Sequence, residues 1–229
     1  MANAIELLYP SRCVSCGRFG TAFCGPCQER CVPATGAGRC RNCGSAWGEE
    51  SSNCPGCVSW GITVERAAAA YEMSGPARRL VHALKYDRVR AVVPAMARAM
   101  APLRELVPFD AALPVPLHRS RERRRGFNQA AVLVEALAWP RATGALVRRK
   151  KTESQVGMEL HQRRSNVAGA FRYEGTPLTG LRLVLVDDVV TTGATTLECA
   201  SVLREHGARS VSVISFARAN YIDGGRPAD

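Results

Sequence analysis

The alternation of apolar and polar positions along the chain predicts an α/β protein. Continuous apolar runs of four or more residues are typical of strands that are covered on both faces. Strands are predicted at residues 64–71, 110–115, 145–149, 181–186 and 210–216. Helices are predicted at residues 75–86, 92–100, 127–138, 159–168 and 194–205. Because strands and helices alternate, we expect a mostly parallel sheet with helices on both faces and a site at the carboxyl ends of its strands.

The first part of the chain follows a different pattern. Nine of the ten cysteines lie between Cys13 and Cys57, and apolar periodicity begins only after Trp60 and Gly61. A chain of 229 residues can bury one sizeable core and still carry a small accessory domain. We therefore predict a small cysteine-rich domain at residues 1–61 and a main domain at residues 62–229.

The cysteines form four C-x-x-C pairs, which predict structural zinc. The paired residues are Cys13, Cys16, Cys24, Cys27, Cys40, Cys43, Cys54 and Cys57. Each pair places two thiolates on one turn, and tandem pairs are a strong signal for tetrahedral zinc coordination. Sequential pairing gives two zinc-ribbon sites of four cysteines, whereas interleaved pairing and a single degenerate site are alternatives. Cys31 and Cys199 are left over, and both fit the role of small buried hydrophobic residues.

The competing interpretations of the cysteines are a disulfide framework and a redox motif. Disulfides need an oxidising compartment, but the chain start lacks the basic residues and apolar core of a secretory signal. A redox C-x-x-C usually occurs once, near a βαβ unit. We therefore expect a cytoplasmic zinc protein, and no membrane span, because no stretch approaches the ~20 apolar residues that one requires.

The most informative segment is residues 181–196, which read LRLVLVDDVVTTGATT. An apolar strand ends at Asp187 and Asp188, and a carboxylate pair can accept hydrogen bonds from a diol or hold a metal ion. The loop that follows contains Thr191, Thr192, Gly193, Ala194 and Thr195. It leads into a helix whose backbone N–H groups and dipole favour a phosphate there. Acid pairs also end strands in receiver domains and nucleotide hydrolases, but receiver domains lack this loop and no P-loop motif is present.

Basic residues add countercharge at the same end of the predicted sheet. The chain carries a formal net charge of +11, which suits a polyphosphate or nucleic acid. Five arginines lie between Arg119 and Arg125, directly after the strand end at Pro116, and a second basic loop covers residues 148–155. Such a run is usually a solvated face. Here its position, and the bidentate fit of arginine to phosphate, predict a magnesium-pyrophosphate site.

These motifs resemble known families. Residues 184–195, VLVDDVVTTGAT, resemble the signature loop of type I phosphoribosyltransferases, which hold phosphoribosyl pyrophosphate (PRPP). The wider pattern resembles the ComF/GntX family, which is linked to natural transformation competence in several bacteria. It consists of the cysteine pairs and of ALKYD at 83–87, PVPL at 114–117, RGFNQ at 125–129 and RRSNVAGAF at 163–171. The resemblance spans almost the whole chain.

The resemblance implies roles for individual residues. Asp187 and Asp188 would bind the ribose 2- and 3-hydroxyls, directly or around Mg²⁺, and would be catalytic. The loop Thr191, Thr192, Gly193, Ala194 and Thr195 would cradle the 5-phosphate. Val115, Pro116 and Arg119 would contact the pyrophosphate. Arg149 would also be catalytic, at the start of a mobile loop over residues 149–155 that closes over the reacting centre. The implied activity is Mg²⁺-dependent phosphoribosyl transfer to a nitrogen acceptor that the sequence does not identify.

The rival prediction is a nucleic-acid-handling protein without turnover. A zinc ribbon beside a basic surface suits single-stranded DNA, and the zinc segment could also bind a competence helicase or another partner. Only 6% of residues are aromatic, which argues against an extensive base-stacking platform. The motifs specify a binding site, whereas turnover depends on geometry that sequence alone does not fix.

Overall fold

The structure is a computed structural model of the 229-residue chain. It describes residues 11–36, 38–40, 42–45, 54, 57, 60, 63–149 and 167–219, with the backbone alone at 221–222 and 226–227. The statements below concern these residues. The predicted helix at 159–168 lies almost entirely outside them, and so does the basic loop after Arg149.

Four parallel strands form the central sheet. In chain order the strands are β1 (Ala67–Glu72), β2 (Ala111–Pro114), β3 (Ala145–Arg148), β4 (Phe171–Glu174), β5 (Arg182–Val190), β6 (Ser210–Arg218), β7 (Tyr221–Ile222) and β8 (Arg226–Pro227). The parallel sheet has the order β1-β6-β5-β2. The pairs β3-β4 and β7-β8 are antiparallel. Non-consecutive neighbours such as β2 and β5 require crossovers, and helices supply them.

The helices are α1 (Gly25–Glu29), α2 (Gly75–Lys85), α3 (Val93–Met100), α4 (Leu103–Leu106), α5 (Arg119–Arg125), α6 (Gln129–Leu137) and α7 (Ala194–Glu205). A 3₁₀ turn at Arg90–Val92 precedes α3. Within the described part of the chain, no helix combines the length and apolar character that crossing a membrane demands.

Both faces of the sheet are buried. Successive side chains of a strand point to opposite faces, so β5 divides its apolar run between two cores. Val184 and Val186 pack in the core formed with α2, α3 and α6, whereas Leu183 and Leu185 pack with α7 and the β3-β4 pair. The predicted parallel sheet with helices on both faces is confirmed.

One strand pair differs from the prediction. Residues 145–149 were expected to continue the parallel series, but β3 pairs antiparallel with β4 outside the main sheet. Strand β4 was not predicted, although its residues alternate between buried and exposed positions, the pattern of a half-buried strand. Four residues are too few for that alternation to stand out in the sequence.

The arginine run was predicted as a loop but forms α5. The side chain of His118 caps this helix by accepting the N–H of Ser120 at 3.2 Å. The helix ends at Gly126, whose φ of +86° is the left-handed conformation that glycine adopts without strain. Arginine and glutamate are good helix formers, so local propensity supports the element once both ends are capped.

Strand β5 runs further than the sequence predicted. Its apolar run ends at Val186, but pairing with β6 continues through Val190 opposite Arg218. Its other neighbour, β2, ends at Pro114 opposite Val186. The extension therefore carries Asp187 and Asp188 beyond the end of β2, at the edge where the loop after β2 emerges.

The cysteine-rich segment covers the edge strand β1. Antiparallel to it, the N–H of Ala34 donates to Ala70 O at 3.1 Å and the N–H of Glu72 donates to Val32 O at 2.8 Å. Covering an exposed strand edge in this way blocks pairing with other chains. The predicted domain boundary near Trp60 and Gly61 stays a prediction, although the Trp60 ring is buried in the core of the main domain.

Candidate functional site

A cleft of about 510 Å³ opens at the carboxyl ends of β2 and β5. The phosphate loop, which we define as residues 191–195, forms one wall with the end of β5. Helices α2, α5 and α6 contribute to the other walls. Among the residues singled out from sequence, those that line the cleft are Val115, Pro116, Asp187, Asp188, Thr191, Gly193, Ala194 and Thr195.

The two aspartates have different surroundings. Asp188 is 5% exposed; its Oδ1 lies 3.1 Å from Lys85 Nζ, and its buried Oδ2 has no hydrogen-bond partner among the described residues. Asp187 Oδ1 accepts the backbone N–H of Asp188 at 2.8 Å. Burial, and then the charge of Asp188, raise the pKa of Asp187 well above its usual range. A buried acceptor without a donor suits a ligand hydroxyl or a hard cation such as Mg²⁺.

Gly193 shapes the turn between β5 and α7. With φ of +79° it occupies the left-handed region and forms the N-cap of α7. Its carbonyl accepts the Thr196 hydroxyl at 2.8 Å, which fixes the first turn. The first N–H groups of a helix lack intrahelical partners and lie at the positive end of the helix dipole. Thr192 does not line the cleft, but its buried Oγ1 has no partner in the part of the chain described here.

The indole of Trp60 lies directly against Gly193. A Cβ atom at position 193 would come within 2.6 Å of Trp60 Cζ2, a separation that real side chains do not show. Glycine is therefore required twice, for its backbone angle and for this close approach. Sequence analysis did not connect Trp60 with the loop, because no local periodicity reports a contact between such distant residues.

Among the described residues, four arginines line the cleft, including Arg78 of α2, but neither Arg119 nor Arg149 is one of them. Arg121 and Arg125 are one helical turn apart on α5, half-buried and on the cleft side. Arg148, at the end of β3, is 6% exposed and also lines the cleft. Arg119 is exposed and does not line the cleft, and Arg149 lies 3.5 Å from Glu174 with most of its side chain in solvent.

The RGFNQ segment holds the loop after β2 in place. Arg125 Nη1 donates to Gln129 Oε1 at 2.9 Å, and both residues line the cleft. Asn128 caps α6 by accepting the N–H of Ala130 at 3.0 Å. The same side chain donates to Val115 O at 3.0 Å. The motif thus ties α5 and α6 to the strand end beside the acid pair.

Helix α2 contributes another wall of the cleft, although sequence analysis assigned its residues no role. Lys85 and Tyr86 line the cleft here, and Tyr86 is 61% exposed. The ring of His82 meets Tyr86 edge-on at 5.3 Å. Burial, and then the charges of Arg78 and Lys85, lower the pKa of His82. Its imidazole is accordingly neutral at pH 7.

The eight paired cysteines gather into two groups, in sequential order. The first group is Cys13, Cys16, Cys24 and Cys27, and the second group is Cys40, Cys43, Cys54 and Cys57. Within each group the four Sγ atoms lie within 4.8 Å of one another. Measured Sγ–Sγ separations of 3.3 and 3.6 Å approach the ~3.8 Å edge of a tetrahedron with zinc–sulfur bonds of ~2.3 Å. Both groups therefore fit zinc-ribbon sites.

Local donors lower the pKa of one thiol in each group. Burial raises the pKa of Cys13, but backbone N–H groups led by that of Cys24 outweigh it and bring the value down to about 6. Burial also raises the pKa of Cys40, but the N–H groups of Cys43 and Asn42 bring it down to about 7. The pKa of Cys24 is nevertheless raised to about 11, as is that of Cys31 outside both groups. The clustering of four Sγ atoms, and not acidity, therefore distinguishes the paired cysteines from Cys31.

Proteins of similar sequence are named for DNA use or for competence. The DNA utilization protein YhgH of Salmonella typhi is 35% identical over 194 residues, covering 78% of this chain and 83% of that protein. Competence protein F of Haemophilus influenzae is 30% identical over 225 residues, which cover 91% of this chain and 97% of that protein. Competence protein ComFC of Bacillus subtilis is 36% identical over 112 residues, which cover 45% of this chain and 42% of that protein. No protein-family model matches the chain.

Solved structures with a similar arrangement include phosphoribosyltransferases. The orotate phosphoribosyltransferase of Aeropyrum pernix is 24% identical, with a TM-score of 0.33 and coverage of 60% of this chain and 61% of that one. A phosphoribosyltransferase of Corynebacterium diphtheriae is 23% identical, with a TM-score of 0.34 and coverage of 61% and 69%.

We predict two zinc ions per chain in freshly purified, reduced protein, measured by elemental analysis. Cys54→Ser removes a buried ligand of the second group and is expected to lower the content to about one. Cys31→Ser, also buried but outside both groups, is the matched control and should leave two. Zinc-free wild type, or equal loss in both variants, would contradict the assignment.

Asp187→Asn is expected to stabilise the ligand-free protein at pH 7. The raised pKa means that the folded state binds this proton more tightly than the unfolded state. The free energy of unfolding therefore falls as pH rises from about 4, the unfolded pKa, toward the raised folded pKa. The uncharged amide removes that loss, a gain of about 0.5–2 kcal/mol. Urea unfolding between pH 4 and 8 tests this; an unchanged pH slope would rule it out.

Proposed function

Because the chain belongs to the ComF family, and its cleft combines an acid pair with a phosphate loop, we propose that the cleft binds PRPP. In this proposal the bound sugar phosphate serves a role in DNA uptake during natural transformation, as the names of the relatives suggest. The cytoplasmic location expected from the cysteines stays a prediction.

The observation that carries the proposal is the buried Asp188 carboxylate that lines the cleft. Its Oδ2 is an acceptor without a donor in the described part of the chain. A buried polar group without a partner costs about 1–3 kcal/mol. A ribose diol would supply donors to the acid pair, and a 5-phosphate would accept hydrogen bonds from backbone N–H groups of the neighbouring loop.

The arginines of the cleft supply the charge that pyrophosphate requires. Arg121, Arg125 and Arg148 converge on the cleft from α5 and β3. Each guanidinium can bind a phosphate through two parallel hydrogen bonds. Val115 and Pro116 bring the backbone of the loop after β2 to the same place. Contacts of Arg119 with pyrophosphate, and closure by the loop that begins at Arg149, stay predictions.

The acid pair is suited to a magnesium ion as well as to a diol. Carboxylate oxygens are the ligands that Mg²⁺ prefers, and Asp188 Oδ2 is free of other partners among the residues described. Mg²⁺ held there with PRPP would neutralise charge on the departing pyrophosphate. Lys85, 3.1 Å from Asp188 Oδ1, supplies part of that positive charge without a metal.

The reaction that this cleft supports best is displacement at ribose C1. The C1–oxygen bond to pyrophosphate breaks, a bond from C1 to a nitrogen nucleophile forms, and the nucleophile loses a proton. The arginines stabilise the departing pyrophosphate, and the aspartates stabilise positive charge that develops on the ribose. We propose His82, which lines the cleft and is neutral at pH 7, as the acceptor of this proton.

A second candidate function is binding of single-stranded DNA without turnover. The face of α5 that points away from the cleft exposes Arg119, Arg123 and Arg124. Phosphate contacts of this kind lose affinity steeply with added salt. PRPP binding in the cleft should instead depend on Mg²⁺, so a salt titration and a Mg²⁺ titration separate the two functions. A partner-binding role for the zinc segment stays a prediction.

Calorimetric titration of PRPP with and without Mg²⁺ tests the proposed function. The wild type is expected to bind in a Mg²⁺-dependent manner, and Asp187→Asn with Asp188→Asn to weaken binding at least about 100-fold, since two charge-assisted contacts are lost. Asp110→Asn, which removes an exposed carboxylate paired with Arg182 outside the cleft lining, is the control. An unchanged affinity of the double variant for PRPP would contradict the proposal.

A further inference from the structure

A continuous chain of contacts joins the second cysteine group to the phosphate loop. Cys43 Sγ lies 3.2 Å from Ser45 Oγ, and Ser45 Oγ accepts a hydrogen bond from Arg218 Nη2 at 2.8 Å. The Arg218 guanidinium carbon lies 5.4 Å from the centroid of the Trp60 ring. The same indole lies against Gly193. Four contacts thus connect a metal-binding group with the turn that receives a phosphate.

The middle of this chain is buried and has little freedom. Trp60 is 4% exposed and Arg218 is 6% exposed. A guanidinium buried to this degree needs negative charge nearby, and Ser45 links it to a group that carries thiolates when zinc is bound. Arg218 also ends β6 opposite Val190, the last residue of β5 before the loop. Strand pairing therefore fixes the Arg218 backbone, and Ser45 holds its guanidinium next to the cysteine group.

Trp60 forms the support on which the loop turn rests. Its indole atoms would lie 2.6 to 3.0 Å from a Cβ at position 193, so the ring occupies the space directly against the Gly193 backbone. Trp60 follows Cys57 of the second group by three residues, and its indole is buried in the core.

The first cysteine group has a different neighbour. Arg79 Nη1 of α2 donates to Ser15 O, between Cys13 and Cys16, at 2.6 Å. None of the contacts described for residues 11–36 reaches the phosphate loop. The two groups therefore brace different walls of the cleft, the first on the α2 side and the second on the loop side.

We propose that Trp60 is a positioning residue for the phosphate loop, and that the second cysteine group holds it there through Ser45 and Arg218. The inference rests on the proposed function, because it concerns how the loop receives the 5-phosphate of PRPP. Loss of this support weakens binding of the 5-phosphate end and leaves the pyrophosphate end unaffected, since the arginines lie on other elements.

Two fragments of PRPP test this separation on the full zinc-loaded chain. By calorimetry, Trp60→Phe is expected to weaken binding of ribose 5-phosphate about 10-fold, because the turn loses its support. Binding of inorganic pyrophosphate should change less than about twofold, a difference that general destabilisation would not produce. Trp139→Phe is the matched control, since Trp139 is 8% exposed and packs on Phe109 at 5.0 Å.

The outcomes distinguish this inference from the proposed function. Wild type that binds neither ribose 5-phosphate nor PRPP overturns both. Wild type that binds ribose 5-phosphate with the same affinity as Trp60→Phe overturns the inference alone. Equal weakening of both fragments in Trp60→Phe also overturns it, because the effect would then not belong to the loop.

A second variant tests the link to the cysteine group without touching a ligand. Arg218→Met keeps all eight cysteines, so two zinc ions should remain while affinity for ribose 5-phosphate falls as in Trp60→Phe. The double variant should be no weaker than either single one, because both break the same chain of contacts. Additive losses would contradict the link.

A spectroscopic measurement tests the positioning role of Trp60 even if Trp60→Phe does not fold. With Trp47→Phe and Trp139→Phe, Trp60 becomes the sole tryptophan of the chain. Its fluorescence emission should shift on addition of ribose 5-phosphate and stay unchanged with pyrophosphate. Emission that does not respond to ribose 5-phosphate would overturn the positioning role.

Discussion

The cleft depends on the pairing of β5 with β6 beyond the end of β2. Hydrogen bonds to β6 keep β5 extended through Val190, which carries two adjacent carboxylates past the last residue of β2. Placing them there is unfavourable in the absence of ligand. Asp187 ionises only with difficulty, and half of the Asp188 carboxylate is buried without a donor in the described part of the chain. Lys85 offsets part of this cost. Burial of the carboxylates lowers the stability of the ligand-free protein, and a bound diol would remove part of this cost. Such a loss of stability at a functional site is common.

The cysteine groups extend the same constraint to the rest of the fold. Their segment covers β1, the edge strand of a sheet with only four parallel members. In such a segment the free energy of metal binding contributes to the free energy of folding, because the ligands come together only in the folded chain. One group contacts α2 through Ser15, and the other reaches the phosphate loop through Ser45, Arg218 and Trp60. The cysteine-rich segment is therefore part of the framework of the cleft.

Local patterns predicted the elements of the site, but not which side chains face it. The run from Leu183 to Val186, the threonine-rich turn at Gly193 and the cysteine spacing each carry their signal within a few residues. Whether Arg119 or Arg121 faces the cleft depends on how α5 is rotated about its axis. This helix was not predicted, because the sequence of the arginine run indicated a loop. The choice between Arg148 and Arg149 depends on the register of β3 with β4, two short strands outside the main sheet. Trp60 was missed because its contact with Gly193 joins parts of the chain that are distant in sequence.

A crystal structure of the zinc-loaded chain with PRPP and Mg²⁺ tests the central claim most directly. The account predicts the ribose 2- and 3-hydroxyls within hydrogen-bond distance of Asp187 and Asp188, and the 5-phosphate on the backbone N–H groups of residues 191–195. The pyrophosphate should lie beside Arg121 and Arg125. PRPP bound elsewhere, or bound here with its 5-phosphate away from the loop, would contradict the account.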